Sequence, residues 1–592
     1  MRIRHVFATS VALALIMPGV SASPASATHE LVRGFVTDGV TGEELSGVCV
    51  SMSPPACTQL TDSAGMYQIH LADGATRTVE LVFSLTAYQT ARSGTFVVSG
   101  HIDFNQVLMP TGARELCPNS RPDTPTQTLY LANVTKPGFY NQWHTPFIVQ
   151  NTGTAEATLE ISFYRFINGV CAVRRTVTGL RPGASFADVP GNDVDLPGGT
   201  QFSVVVRSFG STVVSVVNQH VGLAPNATAL SYVGVSGGAT SVFLPNVTRR
   251  FFGYVTPIII QNLGTSEADV TVTLTSFDGT APDAIVTRRT PAGGSKFIDP
   301  NSEAGLVDGK QYTARVTSRQ PVSAVVNTHY EEPGHAVGYS TNGITTGAQT
   351  AYGPYAAKHA GAEGWVSTIV VHNVSQVSVT PSLQFDPLGG TGAAQVVSAP
   401  APVAPGRAWA FDPRFTFGTT TPCTTQSPTC LGDGEYSFVA RSNDPSAQIA
   451  VAVNVIGARS AMGYTAIPTP TSRVYLPNVT RTLGGTDGWT TPILLQAVGT
   501  GATGATLRWY RFSDGVLEHT QVVAIRSGTA ERIDPRSVPQ LRDGTQYAVV
   551  VDGVAGSVAA VVMQLVTGFA STGLTYQGDN AMIYEGLTSP TP

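Results

Sequence analysis

Val474-Tyr-Leu-Pro-Asn-Val-Thr-Arg481, a Gly-rich turn and Trp489-Thr-Thr-Pro-Ile-Leu-Leu-Gln496 form the stretch that decides how this chain is read. It recurs upstream as Val242-Phe-Leu-Pro-Asn-Val-Thr-Arg249 with Tyr254-Val-Thr-Pro-Ile-Ile-Ile-Gln261, and as Leu129-Tyr-Leu-Ala-Asn-Val-Thr-Lys136 with Trp143-His-Thr-Pro-Phe-Ile-Val-Gln150. A degenerate copy begins at Tyr352 and keeps Trp365-Val-Ser-Thr-Ile-Val-Val-His372. Self-similarity at a domain-sized period marks an array of like modules, and the step from Asn133 to Asn246 is 113 residues. Internal landmarks recur in order: a Gly-Thr turn (Gly153-Thr154, Gly264-Thr265, Gly499-Thr500) and an Asp-Pro step (Asp299-Pro300, Asp412-Pro413, Asp534-Pro535). Short alternating segments between Gly, Pro and Asp turns, without a helical period, predict an all-β chain of tandem β-sandwich modules. Four Ig-like repeats are expected at 129–240, 241–349, 350–471 and 472–592, the last with a short polar tail.

Composition narrows the function classes. Charged residues are 12% of the 592, and the net charge of −5 leaves no basic footprint for nucleic acid. Residues 1–27 read as a secretory signal peptide: Arg2, Arg4 and His5, an apolar run, then Ala25-Ser26-Ala27 as the cleavage site. No later run reaches the roughly 18 apolar residues of a spanning helix. The expectation is a secreted, extracellular protein without a transmembrane segment, soluble or held at the cell surface by non-covalent contacts. Export makes disulfides the default for the six cysteines, which allow 15 connectivities. Local spacing favours Cys49 with Cys57 and Cys423 with Cys430, leaving Cys117 for Cys171.

Residues 28–110 differ from the repeats. Gly34, Asp38, Thr41-Gly42, Gly47, Asp62 and Gly65-Met-Tyr67 punctuate alternating strands, and Tyr67, Ile69 and Leu71 share one face. This pattern resembles the carboxypeptidase regulatory-like domain, a prealbumin-like β-sandwich. The resemblance implies that these residues determine the fold and that none is catalytic. Residues 111–128 read as a linker, which Cys117 would pin to the first repeat. The repeats resemble β-modules of exported bacterial surface proteins, with no named family.

Several constellations carry residue types capable of chemistry. His329-Tyr-Glu331-Glu332-Pro-Gly-His335 has metal-ligand residue types, but His329 aligns with His220 and with apolar Ile456 and Val566 in the other repeats, which favours a structural role. Gly234-Val-Ser236-Gly-Gly238 fits a nucleophile-elbow formula without the helix that elbow requires. His29-Glu30 lacks the second histidine of a zinc-protease helix. Asp193-Val-Asp195 offers too few oxygens for calcium. Asn133, Asn226, Asn246, Asn373 and Asn478 lie in glycosylation sequons; three of them, Asn133, Asn246 and Asn478, share one repeat position and read instead as turn-capping side chains. Trp143, Tyr254, Trp365 and Trp489, one per repeat, share a face with apolar residues and read as buried edge plugs, or alternatively as a glycan-stacking row. The expected function is an exported, non-catalytic surface or matrix protein, an adhesive or spacer array with no cofactor and no metal or catalytic residues. Two alternatives stay open: a carbohydrate-binding array and a secreted hydrolase. Expected partners are polysaccharide, cell-wall material or surface proteins. With each module carrying its own strands, the array is expected to run end to end, on the order of 150 Å for five modules.

Overall fold

The structure, a computed structural model, describes residues 30–39, 44–52, 56–71, 77–98, 101–111, 116–138, 142–221, 227–331, 336–417, 419–423, 427–485, 488–566 and 581–589. It is all-β, and the chain divides into two compact units, residues 1–39 with 43–113 and residues 40–42 with 114–592.

In the first unit, strand Glu30–Asp38 pairs with Met66–Leu71, His101–Asp103 and Gln106–Leu108. A second sheet runs Gln59–Leu60, Cys49–Ser51, Arg77–Ser84, Ala91–Val98. Tyr67, Ile69 and Leu71 alternate inward to meet Val50, Leu81 and Phe83 in one core. Gly34 is obligatory, since a Cβ there would stand 1.8 Å from the Phe104 carbonyl oxygen. Asp62 closes its turn by accepting from the Ala64 and Met66 amides. Cys49 is bonded to Cys57.

The second unit holds the four repeats. Repeat 1 shows the plan: an inner sheet ordered Ser185–Asp188, Phe147–Asn151, Val213–Val221, Thr228–Val233, and an outer sheet ordered Cys171–Leu180, Ala157–Arg165, Gln201–Phe209, Gln127–Thr135. Phe147 from the inner sheet meets Phe163 and, beyond it, Phe202 from the outer, with centroids 6.2 and 5.8 Å apart. In repeat 2 the sixth and seventh strands fuse into one 21-residue strand, Lys310–Tyr330, that serves both sheets. The left-handed breaks at the corresponding corner elsewhere, Gly210, Asn443 and Ala555, have no counterpart there. Residues 116–126 are fastened to the outer sheet of repeat 1. Cys117 is bonded to Cys171, the Arg174 amide donates to the Leu116 carbonyl, and Arg207 donates to the Arg121 and Asp123 carbonyls. Cys423 is bonded to Cys430 in repeat 3.

The two sheets differ in what covers them. Strand Ala268–Ser276 of an outer sheet alternates between buried and partly exposed, as a half-covered strand does. Inner strands Phe147–Asn151, Ile258–Asn262 and Val213–Val221 are buried on both faces apart from the last two residues of Val213–Val221. What covers the second face is the neighbouring repeat. The last strands of the four inner sheets, Thr228–Val233, Gly338–Asn342, Ala461–Thr465 and Ala581–Glu585, pack first against second, second against third, third against fourth and fourth against first. We call them the axial strands. The four repeats therefore form a closed ring, and the expected end-to-end arrangement is corrected. Each inner sheet is too apolar on both faces to stand in water alone, so the repeats bury it against one another.

Candidate functional site

The first strand of each repeat carries a β-bulge at one shared step, Ala132-Asn133, Pro245-Asn246, Pro354-Tyr355 and Pro477-Asn478, where the ladder slips register. The bulged residue's backbone needs other partners. In repeats 1, 3 and 4 an axial tyrosine hydroxyl supplies them: Tyr232 donates to the Asn133 carbonyl at 2.8 Å, Tyr464 to that of Tyr355 at 2.5 Å and Tyr584 to that of Asn478 at 2.8 Å, each accepting the same residue's amide. In repeat 2 Thr341 holds that position, and Tyr339, two residues earlier on the same face, bonds to the Asn246 and Thr328 side chains. Burial pushes the phenols of Tyr232, Tyr464 and Tyr584 up, so they stay neutral donors.

Asn133, Asn246 and Asn478 therefore sit in strand bulges, which corrects the expectation that they cap turns. The Asn133 and Asn478 carboxamides are spent inside the protein. Asn133 Nδ2 donates to Gln219 Oε1 at 2.7 Å and Asn478 Nδ2 to Gln564 Oε1 at 2.8 Å. Asn373 caps a turn, donating to the Val377 and Val403 carbonyls and accepting from the Ser375 amide. Asn226 lies outside the described residues.

From these bulges the network crosses between repeats. Gln219 exchanges hydrogen bonds with Asn327 and donates to Ser340 of repeat 2. Gln564 exchanges them with Asn218 and donates to Ser231 of repeat 1. The seam between repeats 4 and 1 thus repeats the seam between 1 and 2, although hundreds of residues separate its partners in sequence. At the equivalent place between repeats 2 and 3, Thr328 is too short and Gly463 has no side chain, so the buried Asn454 Oδ1 is left without a partner. Between repeats 3 and 4 the same positions are Val455, Met563 and Ile583, fused into one apolar core. Two seams are further closed where an edge strand would otherwise expose its backbone. The Asn342 carboxamide accepts from the Val233 amide and donates to its carbonyl, and Glu585 accepts from the Thr465 amide and hydroxyl. Burial raises the Glu585 carboxyl above the ordinary range.

A second recurring device is the cation that ends each first strand. Lys136 donates to the Asp193 and Leu196 carbonyls, Arg249 to those of Glu303 and Leu306, Arg481 to those of Val538 and Leu541, and Lys358 to that of Leu431. Each bolts the loop that follows the fifth strand of its repeat to the first strand. The recurrence of Lys136, Arg249 and Arg481 in the repeat signature was the available signal, and its role had not been read from the sequence.

The four signature aromatics sit at one end of the inner sheets, each beside a seam or its own strand end. Trp365 is buried and its Nε1 donates to Ser460. Tyr254 packs edge-on against Tyr330, 5.1 Å away, and against the cluster of Val337, Tyr339 and Ala461, the last belonging to repeat 3. Trp489 meets His220 of repeat 1 edge-on at 6.0 Å, and Trp143 is half-buried. Strand pairing sets Val566 opposite Trp489 and Leu565 opposite Thr490, so the residue of repeat 4 equivalent to His329 is Leu565, which corrects the sequence alignment by one position.

The remaining candidates are dispersed. His329 Nε2 lies 3.4 Å from Glu331 Oε1, while Glu332 and His335 fall outside the described residues. Ser236 lies in the connector between strands Thr228–Val233 and Ala239–Arg249. Asp193 pairs with Arg175 at 2.6 Å and accepts from the Asp195 amide. His29 is also outside the described residues.

No family model matches the chain, and none of the curated proteins compared with it is similar. Among solved structures it is similar to one titled the crystal structure of Thermotoga maritima 1070, at 18% identity, covering 18% of this chain and 96% of that one with a TM-score of 0.16.

Proposed function

We propose that the protein is an exported, non-catalytic adhesive protein in which four fused repeats make a rigid scaffold for loops that contact surface polysaccharide, cell-wall material or surface proteins. The observation that carries this reading is ring closure: repeat 1 seats on repeat 4 through the same amide network by which repeat 2 seats on repeat 1. A closed ring gains no reach from added repeats, so the adhesive half of the expectation is favoured over the spacer half. Three disulfides suit an oxidising compartment, and the N-terminal signal-type segment gives a route there. The charged groups Lys136, Arg249, Asp193 and Glu585 are engaged in holding loops and strand edges. The first unit, by its resemblance to the carboxypeptidase regulatory-like domain, is proposed as an accessory sandwich with no active site.

The test is retention. Mature protein mixed with purified cell-wall material and insoluble polysaccharides should be depleted from the supernatant without release of soluble sugar or peptide. Release of either product would overturn the non-catalytic reading, and failure to be retained on any of these materials would overturn the adhesive one.

A further inference from the structure

The turn that follows the bolting cation begins alike in repeats 2, 3 and 4, with two, four and five residues between its bridged positions. In each, the residue after the cation is left-handed: Arg250 (φ 50°), His359 (φ 49°) and Thr482 (φ 47°). The next residue bridges back to the returning strand, Phe251 to Tyr254, Ala360 to Trp365 and Leu483 to Trp489. The position after that is left-handed again, and there the repeats diverge. Repeats 3 and 4 use Gly361 (φ 68°) and Gly484 (φ 92°), the residue this backbone favours, whereas repeat 2 uses Phe252 (φ 48°). An aromatic side chain in that conformation is strained, and nothing is gained by burying it, because Phe252 is 81% exposed. The sister turns show that the fold does not need an aromatic there.

Phe252 does not stand alone. Its ring lies 4.6 Å from that of Phe251, and Gly253 rests on the ring of Tyr330, which packs against Tyr254. The Glu331 amide donates to the Gly253 carbonyl at 3.0 Å, which places the exposed Glu331 carboxylate beside the aromatic hairpin. That carboxylate accepts from Asn301 Nδ2 at 2.9 Å and lies 3.4 Å from His329 Nε2. Strand pairing of Tyr254 with Tyr330 and of Val255 with His329 brings together two sequence features read separately, the signature aromatic and the His-Tyr-Glu run.

Resting on the adhesive reading above, we propose that this hairpin of repeat 2, with Tyr330, Glu331 and Asn301, is a saccharide-binding site. A pyranose presents an apolar C–H face and a rim of hydroxyls. The exposed ring offers the first a stacking surface, and the exposed Glu331 carboxylate, positioned by Asn301 Nδ2, offers the second an acceptor. A wholly apolar partner would instead cover Glu331 without giving it hydrogen bonds, at a desolvation cost.

The test uses the full mature protein, with microcrystalline cellulose, chitin and peptidoglycan sacculi as separate probes. Retention on at least one is expected. Phe252→Gly, which restores the residue of the sister turns, should weaken it at least tenfold while leaving the melting temperature unchanged or higher. Phe252→Trp should retain binding, and Glu331→Gln should weaken it. If the wild type is retained and Phe252→Gly binds equally well, the site is wrong while the adhesive reading stands. A melting temperature lowered by Phe252→Gly would show that the ring serves the fold and would also overturn the site. Retention on proteinaceous surface material alone would refute the ligand class, and retention on nothing would refute both readings.

Discussion

His372 stands where the other repeats carry Gln150, Gln261 and Gln496, all buried. Enclosed at a seam against the ring of Phe243, its imidazole is pushed by burial down to about 3. The folded protein therefore holds it neutral, while the unfolded chain protonates it near its ordinary 6.5. Its contribution to stability is complete above pH 6.5 and is lost as pH falls toward 3, by about 1.4 kcal/mol per pH unit. His220, lowered to about 4 by burial and by His144, acts with the same sign over a narrower range. Melting followed from pH 7 to 4 should show steep acid destabilisation, and His372→Gln should flatten it while changing little at pH 7.5. An unchanged slope would mean that the imidazole reaches solvent. Across the seam between repeats 4 and 1, Gln564→Ala removes the partner of both Asn218 and Asn478 and should cost about 1–3 kcal/mol. The double variant with Asn218→Ala should cost less than the sum of the singles, measured by denaturant titration as a mutant cycle.

At the scale of elements, strand type and the disulfide partners were legible because both are local: alternation gave Met66–Leu71, and short spacing gave Cys49 with Cys57 and Cys423 with Cys430. The ring too has a signature in the chain. Runs such as Phe147-Ile-Val and Val213-Val-Ser-Val-Val do not alternate, which is the pattern of a strand covered on both faces, and a free-standing sandwich covers only one. Nothing in the sequence marks Phe252, because a lone aromatic in a turn has no periodicity. It becomes visible once the sister turns are aligned by their left-handed positions. The bolting cations lend themselves to the same comparison. Lys358→Met would remove a buried ammonium and leave the Leu431 carbonyl bare, and should destabilise by about 1–3 kcal/mol. Lys358→Arg, the residue that repeats 2 and 4 use, should be tolerated. Thermal unfolding of the two variants side by side separates a loop anchor from a mere surface charge.

For the four repeats as a whole, closure brings residues distant in sequence into contact. Thr152 in repeat 1 and Ser589 at the end of repeat 4 share a hydrogen bond at 3.0 Å across 437 residues. Replacing both with cysteine should give a spontaneous disulfide in exported protein, seen as faster migration on a non-reducing gel and a higher melting temperature. Repeats strung end to end would hold the two thiols far apart and leave them free.

Four seats of like geometry in one ring are what four separate copies of a single repeat would also make. Separate copies, however, are bound by symmetry: any residue placed at one seam or turn appears at all four. Joining the copies in one chain releases that constraint. Gln219 and Gln564 can keep two seams polar while Val455 and Met563 make another oily, and a strained phenylalanine can be installed once, at Phe252, instead of four times. A single chain can therefore keep the seating of a symmetric assembly while differing in one quarter of it.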